Sequence, residues 1–245
     1  MSAHPNALRL VTRTLASLIR PPEPLPFEVW IEREVELIDG PYAGSPFSFS
    51  GAPALREIAQ CLNEDHPANE VTVRKGQQSG VTTLAEAWCL YIASRMPANT
   101  LYALPGIDAL RTLNSTKLQP LIDAWHQKIG RTVILPQVSR GGIGSTTYEK
   151  KFAGGYLALA NANAVMDLSM NTARFGVQDE VSKWQEIPGF GDPEELFDGR
   201  FTAFRRTRSY KKFRFSTPEI DSGDETGEGE GHCRIDRHFR RSDQR

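Results

Sequence analysis

The stretch from Lys75 to Thr82 has the residue types of a phosphate-binding loop. It reads Lys75-Gly76-Gln77-Gln78-Ser79-Gly80-Val81-Thr82. It lies between a short alternating run typical of a strand and a run with helical spacing. In such loops the glycines permit a tight turn whose backbone N–H groups face phosphate oxygens, and the next helix adds partial positive charge. A Ser/Thr hydroxyl then binds Mg²⁺, a role open to Thr82 or Thr83.

The loop lacks the lysine that usually precedes its hydroxyl residue, because Val81 stands at that position. Arg74 and Lys75 lie at the opposite end of the loop, where a long basic side chain could fold back over the phosphates. Two interpretations are therefore open. The loop is either a nucleotide site that takes its cation from its first residues, or a chance glycine pair at a strand–helix junction.

A second group of candidates follows the predicted strand over 174–178. Asp179 and Glu180 come directly after it. An ATPase needs one carboxylate to hold Mg²⁺ and another to orient and polarise the attacking water, and neighbouring carboxylates at a strand end can supply both. The alternative is an exposed acidic turn.

A third candidate is Ser216-Thr217-Pro218, which follows Phe213-Arg214-Phe215. Hydroxyl groups at the tip of a strand can sense a terminal phosphate or the attacking water. The alternative is a simple turn that ends the strand.

The elements that must position these residues alternate along the chain. The patterns predict strands over 70–74, 100–104, 132–135, 154–160, 174–178 and 212–215. Helices are predicted over 8–19, 26–37, 52–62, 82–96 and 107–129 (broken near Pro120), and Asp192-Pro193 is typical of a helix start. This alternation indicates an α/β fold with a mostly parallel sheet flanked by helices.

The bulk composition argues against a membrane protein and against a disulfide-rich or metal-binding one. The chain has 245 residues, a net charge of −1, 39% hydrophobic residues and 24% charged residues. No apolar run has the length that spans a bilayer, so we expect no membrane association. The three cysteines lie far apart without metal-type spacing, which favours reduced thiols and a cytoplasmic location.

The order of these features resembles the ATPase part of the large terminase subunit of lambda-type tailed bacteriophages. The matching pieces are Val73–Thr82, Tyr102–Pro105, Phe152–Leu157, Asp179–Val181, Gly191-Asp192-Pro193 with Arg200, Ser216-Thr217-Pro218 and Ser242–Arg245. The resemblance implies a P-loop NTPase fold that is RecA-like and of the additional-strand, catalytic-glutamate type. It further implies a helical lead-in over 1–50, the ATPase domain over 51–220 and an acidic then basic tail over 221–245.

The resemblance also implies roles for individual residues. Lys75 would contact the phosphates, and Glu180 would be the catalytic carboxylate. ATP would be bound by Arg74, Lys75, Gly76, Gln77, Gln78, Ser79, Gly80, Val81 and Thr82, and Mg²⁺ by Thr82 and Asp179. Ser216 and Thr217 would couple hydrolysis to DNA movement.

The partners implied by the resemblance are double-stranded DNA, a terminase small subunit, the portal of the procapsid and further copies of the chain, all in the host bacterial cytoplasm. A basic run offers candidate contacts to DNA phosphates: Arg200, Arg205, Arg206, Arg208, Lys211, Lys212 and Arg214. Arg200 could instead act as an arginine finger on the nucleotide of a neighbouring subunit.

The sequence departs from the family pattern in two ways that affect the expected activity. Val81 replaces the lysine found in many members, and the sequence stops at Arg245, where the family continues into a cysteine-rich stretch and a nuclease domain. We therefore expect an ATP hydrolase that packages DNA and has no nuclease activity. The alternative is a truncated prophage remnant that keeps the fold without hydrolysis. A helicase-like translocase is disfavoured by the Gly-Asp-Pro and Ser-Asp-Gln-Arg segments.

Overall fold

The computed structural model describes residues 24–138, 144–169 and 172–218. The helices are α1 (Phe27–Glu34), α2 (Ala54–Cys61), α3 (Val81–Arg95), α4 (Ile107–Leu113), α5 (Gln119–Ile129), α6 (Val165–Ser169), α7 (Pro193–Asp198) and α8 (Thr202–Arg205). The strands are β1 (Glu70–Arg74), β2 (Thr100–Leu104), β3 (Glu149–Phe152), β4 (Gly155–Asn161), β5 (Phe175–Asp179) and β6 (Lys211–Ser216). Among the described residues, no helix has the length and apolar character needed to cross a membrane. The predicted helix over 8–19 and the tail over 221–245 lie outside this part of the chain.

The six strands form one sheet in the order β1-β6-β5-β2-β4-β3. All neighbours are parallel except β3, which runs antiparallel to β4 at the edge. This confirms the predicted mostly parallel α/β fold. Because β6 lies between β1 and β5, the strand that leads into the loop is separated by one strand from the strand that ends in Asp179. The carboxyl ends of all three meet at one edge, where parallel sheets bind their ligands.

Strand β5 is buried on both faces, which explains its mixed sequence. Phe175 packs against Trp88 of α3, with ring centroids 5.7 Å apart. Gly176 faces the other side, where a Cβ atom would lie 2.4 Å from Phe201 Cζ. Since side chains alternate along a strand, Asp179 shares the α3 side with Phe175.

The absence of a side chain at Gly176 is therefore a packing requirement. We expect Gly176→Ala to lower the free energy of unfolding by about 1–3 kcal/mol, because the methyl group would overpack the core against Phe197 and Phe201. The measurement is urea denaturation followed by circular dichroism. Gly199→Ala is the matched control: Gly199 has α-helical angles (φ −56°, ψ −26°), and a Cβ atom there would meet no other atom within 4 Å. It should leave stability unchanged or raise it by about 0.4–1 kcal/mol. Equal effects of the two substitutions would contradict this explanation of β5.

Two predicted strands need correction. The strand predicted over 132–135 is wrong, because Ile134 makes only an isolated bridge to Phe152. The residues beside β4 instead belong to β3, which the sequence patterns missed. The strand predicted over 174–178 is shifted by one residue, because Asp179 still pairs with Phe215 of β6. The carboxylate of Asp179 therefore belongs to the strand, and Glu180 is the first residue beyond it.

The predicted break near Pro120 is a change of helix type. The chain passes from α4 through a π-helical turn, Asn114–Leu118, directly into α5. Pro120 occupies the first turn of α5, a position where the missing N–H of proline is tolerated.

The segment before the loop shares the main core. Trp30 of α1 packs against Tyr91 of α3 at 5.4 Å and against Trp125 of α5 at 5.8 Å between ring centroids. Phe27 and Ile31 are fully buried in the same cluster. Residues 27–35 therefore help to fix the helices on which the candidate site depends.

The basic run near β6 is only partly a surface feature. Lys211, Lys212 and Arg214 are buried within β6, so the expectation that they contact DNA phosphates is wrong. Lys212 Nζ lies 2.7 Å from Asp198 Oδ1, and Lys211 Nζ donates to three backbone carbonyl oxygens. The exposed members of the run are Arg205, Arg206 and Arg208.

Candidate functional site

The candidate loop, residues 75–80, joins β1 to α3 in a tight turn. Gly80 has a φ of +80° at the start of α3, and a Cβ atom there would lie 3.1 Å from Leu55 Cδ1. Gln78 also has a left-handed backbone, with a φ of +54°. Gly76 has no positive φ and no neighbour within 4 Å of a Cβ position. The turn therefore depends on Gly80 and Gln78 more than on Gly76.

Val81, which stands where many related loops have lysine, is buried in the main core with 2% exposure. Its side chain packs with the residues beneath the loop. A cation for phosphate must therefore come from another part of the chain.

Lys75 at the start of the loop contacts the carboxylate that follows β5. Its Nζ atom lies 2.6 Å from Glu180 Oε1, and its backbone N–H donates to the carbonyl oxygen of Ser216 at 3.0 Å. Thr217 Oγ1 donates towards the Glu180 carboxylate, at 3.4 Å from both oxygens. Glu180 itself has a left-handed backbone (φ 51°, ψ 47°). The fold thus brings together the loop, the carboxylate pair and the tip of β6 that the sequence singled out.

Asp179 is 3% exposed, and its two carboxylate oxygens differ. Oδ2 accepts a hydrogen bond from the Tyr102 hydroxyl at 3.0 Å, whereas Oδ1 has no hydrogen-bond partner among the described residues. Burial raises the pKa of Asp179 to about 6, with Lys75 opposing the rise and Glu180 adding to it. A buried carboxylate oxygen without a partner is costly, and a bound cation would relieve that cost.

Thr82 and Asp179 line the same cavity, which has a volume of about 420 Å³. Its remaining walls come from the end of β2 and from α4 with the following π-turn. Hydroxyl and carboxylate oxygens are the ligands that Mg²⁺ prefers. The unpartnered Asp179 oxygen and the Thr82 hydroxyl therefore fit a magnesium ion.

The loop thus lies before α3, a buried aspartate ends the next-but-one strand of the sheet, and a glutamate follows directly after that strand. The family model described as phage terminase large subunit gpA, ATPase domain, matches residues 43–245. The chain belongs to this family.

Solved terminase structures agree with this assignment at the level of fold. The HK97 bacteriophage large terminase is similar with a TM-score of 0.59 at 10% sequence identity, over 81% of this chain and 38% of that chain, so the match spans less than half of that terminase. The ATPase domain of the Thermus phage P74-26 large terminase gives a TM-score of 0.45 at 15% identity, over 64% of this chain and 63% of that one, a likeness too weak to add to the argument. No curated protein matches the chain.

In this terminase ATPase domain, Ser216 and Thr217 have different contacts. Ser216 is fully buried, and its Oγ accepts a hydrogen bond from the backbone N–H of Ser182 at 3.1 Å. It thereby joins the tip of β6 to the turn after Glu180. Thr217 contacts Glu180 directly. Arg200 is half-buried and donates from Nη1 to the carbonyl oxygen of Ser169 in its own chain.

Sequence reasoning missed the contacts of several groups around the candidate site. Tyr102 holds Asp179, and the Trp184 indole N–H donates to the Asp179 carbonyl oxygen at 2.9 Å. Glu86 lies one helical turn after Thr82 and is 2% exposed, and burial raises its pKa to about 8. The sequence did offer a signal for Glu86, because it is a lone acidic residue in the apolar middle of α3. The role of Tyr102 had no such signal, because it depends on the pairing of β2 with β5.

Proposed function

We propose that this terminase ATPase domain binds ATP together with Mg²⁺ and hydrolyses the ATP to drive double-stranded DNA into a procapsid. The observation that carries the proposal is the convergence of Lys75, Glu180 and Thr217 beside the cavity that Thr82 and Asp179 line. The proposal extends to hydrolysis and DNA movement and does not include DNA cleavage.

The proposed role of Lys75 is to bind phosphate from the start of the loop. Its side chain is 10% exposed and its ammonium group contacts Glu180, so it lies at the edge where the loop and β5 meet. When ATP enters, Lys75 can exchange its carboxylate partner for phosphate oxygens, which carry more negative charge. This exchange frees Glu180 for chemistry.

The proposed role of Glu180 is to orient the attacking water and accept its proton. Its left-handed backbone and its contact with Thr217 fix the carboxylate at the strand end. A positioned general base of this kind contributes about 10²–10⁴-fold to a reaction rate. Thr82 and Asp179 would hold Mg²⁺, which when bound neutralises phosphate charge.

The proposed coupling path runs through the tip of β6. Thr217 contacts the Glu180 carboxylate, while Ser216 binds the backbone of the turn that follows Glu180. A change in the position of Glu180 must therefore alter one or both of these hydrogen bonds. Because β6 lies between β1 and β5, a shift of its tip would reach both neighbouring strands. We propose the terminase small subunit, the portal and further copies of this chain as partners, with Arg205, Arg206 and Arg208 as the exposed candidates for DNA contact.

The role of Lys75 is tested by substituting the two basic residues at the start of the loop separately. We expect Lys75→Ala to weaken the binding of Mg-ATP by about 10–100-fold. This factor corresponds to the loss of one hydrogen bond to a charged group, which contributes about 1.5–3 kcal/mol. Arg74 is the last residue of β1 and is exposed, so Arg74→Ala should change the affinity by less than about threefold. The measurement is isothermal titration calorimetry with a non-hydrolysable ATP analogue.

The opposite ranking would place the phosphate cation at Arg74. An absence of Mg-dependent ATP hydrolysis in the unmodified chain, measured as phosphate release with and without EDTA, would overturn the proposed function itself.

A further inference from the structure

The cavity beside the proposed nucleotide site has a second wall that the loop does not supply. Thr82 and Asp179 line one side, and residues of α4 and the π-turn line another, including Thr112, Thr116 and Lys117. Lys117 is the lysine of this lining set. Lys117 therefore lines the same cavity as Thr82 and Asp179, the two residues that fit Mg²⁺.

Lys117 lies within the π-helical turn Asn114–Leu118 that follows α4. It is four residues after Leu113, which lines the same cavity, so the two side chains share one face of this helical segment. In the turn, the backbone N–H of Gln119 donates to the carbonyl oxygen of Asn114, five residues earlier. Turns of this type are rare and recur at functional sites.

The surroundings of Lys117 are acidic and incompletely paired. Glu86 Oε1 and Asp179 Oδ1 are both buried, and neither has a hydrogen-bond partner among the described residues. Lys117 is the largest favourable charge acting on the pKa of Glu86, which burial raises. Within the described part of the chain, the Lys117 ammonium makes no hydrogen bond and no ion pair of 4.0 Å or less. It is thus a half-buried cation that lies close enough to Glu86 to act on its pKa without binding it directly.

The cavity has room for more than a metal ion. Its volume of about 420 Å³ far exceeds the ~10–15 Å³ that holds a single water. That space accommodates a phosphate group beside a hydrated ion. Val81 supplies no cation, so Lys75 is the lysine that the loop itself offers to a triphosphate, and a second cation can act from the opposite wall.

We propose that Lys117 is a further phosphate-binding residue of this site, whose ammonium group binds the terminal phosphate of ATP from the α4–α5 side of the cavity. The inference rests on the proposed function, because it takes ATP as the ligand. The terminal phosphate is the one assigned because Lys117 shares the cavity of Thr82 and Asp179, the residues that would hold Mg²⁺ beside the phosphate that is transferred.

The test compares ligands that differ by that one phosphate. Lys117→Met keeps the apolar stem of the side chain and removes its charge. We expect Lys117→Met to weaken binding of a Mg-bound, non-hydrolysable ATP analogue by about tenfold or more, and to change Mg-ADP affinity by less than about threefold. Lys117→Arg should recover most of the loss. Lys151→Ala, which removes a lysine from the exposed face of β3, is the control and should change neither affinity.

Each outcome of this calorimetric comparison decides the proposal. A selective loss for the ATP analogue, with an unchanged melting temperature, supports it. Equal losses for both ligands, or no loss, overturn the assignment of Lys117 while leaving the proposed function intact. If the unmodified chain binds neither ligand, the proposed function fails and this inference fails with it.

Discussion

Glu180→Gln is expected to reduce the turnover of ATP by about 10²–10⁴-fold, the contribution of a positioned general base. Glutamine keeps the size of the side chain and can still accept a hydrogen bond from Thr217. It cannot accept a proton from water. The loss should therefore appear in kcat, measured as steady-state phosphate release at saturating Mg-ATP.

The same substitution should not weaken nucleotide binding. Lys75 contacts Glu180 at 2.6 Å, so loss of the carboxylate charge frees the lysine for phosphate. We expect the affinity for Mg-ATP to stay the same or increase. Glu195→Gln removes an exposed carboxylate from α7 and serves as the control, with unchanged kcat and affinity. Hydrolysis unaffected by Glu180→Gln would contradict the catalytic role of Glu180.

Asp179→Asn is expected to have opposite effects on activity and on stability. Loss of the carboxylate that we propose to bind Mg²⁺ should reduce Mg-dependent hydrolysis by about 10²–10⁴-fold, a loss as large as that of a catalytic group. Without metal, the buried carboxylate is desolvated and one of its oxygens has no partner. A neutral amide buried at the same position costs less than a desolvated charge, so the folded state should gain about 1–3 kcal/mol of stability in EDTA.

The stability gain is measured by urea denaturation in EDTA near neutral pH, where the carboxylate of Asp179 is largely ionised. Glu57→Gln on the exposed surface of α2 is the matched control and should change stability by less than about 0.5 kcal/mol. The opposite result would be a decrease in the free energy of unfolding of Asp179→Asn that matches, in kcal/mol, its loss of activity. That result would indicate that the main role of Asp179 is to stabilise the fold.

Local patterns were sufficient to predict much of the architecture. The alternation over 70–74 and 100–104 located β1 and β2 with their observed bounds, and the cap at Asp192 correctly placed the start of α7. The candidate site residues could also be predicted, because they lie at the ends of parallel strands or in the loop and first helical turn that follow β1. Such ends necessarily share one edge of the sheet.

What the sequence did not reveal depends on partners far along the chain. Lys212 has the composition of a surface residue, and its burial follows from contacts with Glu70 and Asp198. Strand β3 forms only because β4 offers it a free edge. The π-turn before α5 has no local signature that separates it from an α-helix. Each of these features is decided by tertiary packing over local propensity.

The most direct test of the central claim is a crystal structure of this chain with Mg²⁺ and a non-hydrolysable ATP analogue. We expect the triphosphate on the loop from Lys75 to Thr82, the metal in contact with Thr82 and Asp179, and the Lys75 ammonium on phosphate with its contact to Glu180 broken. A nucleotide bound elsewhere on the chain, or a metal that contacts neither Thr82 nor Asp179, would contradict the claim.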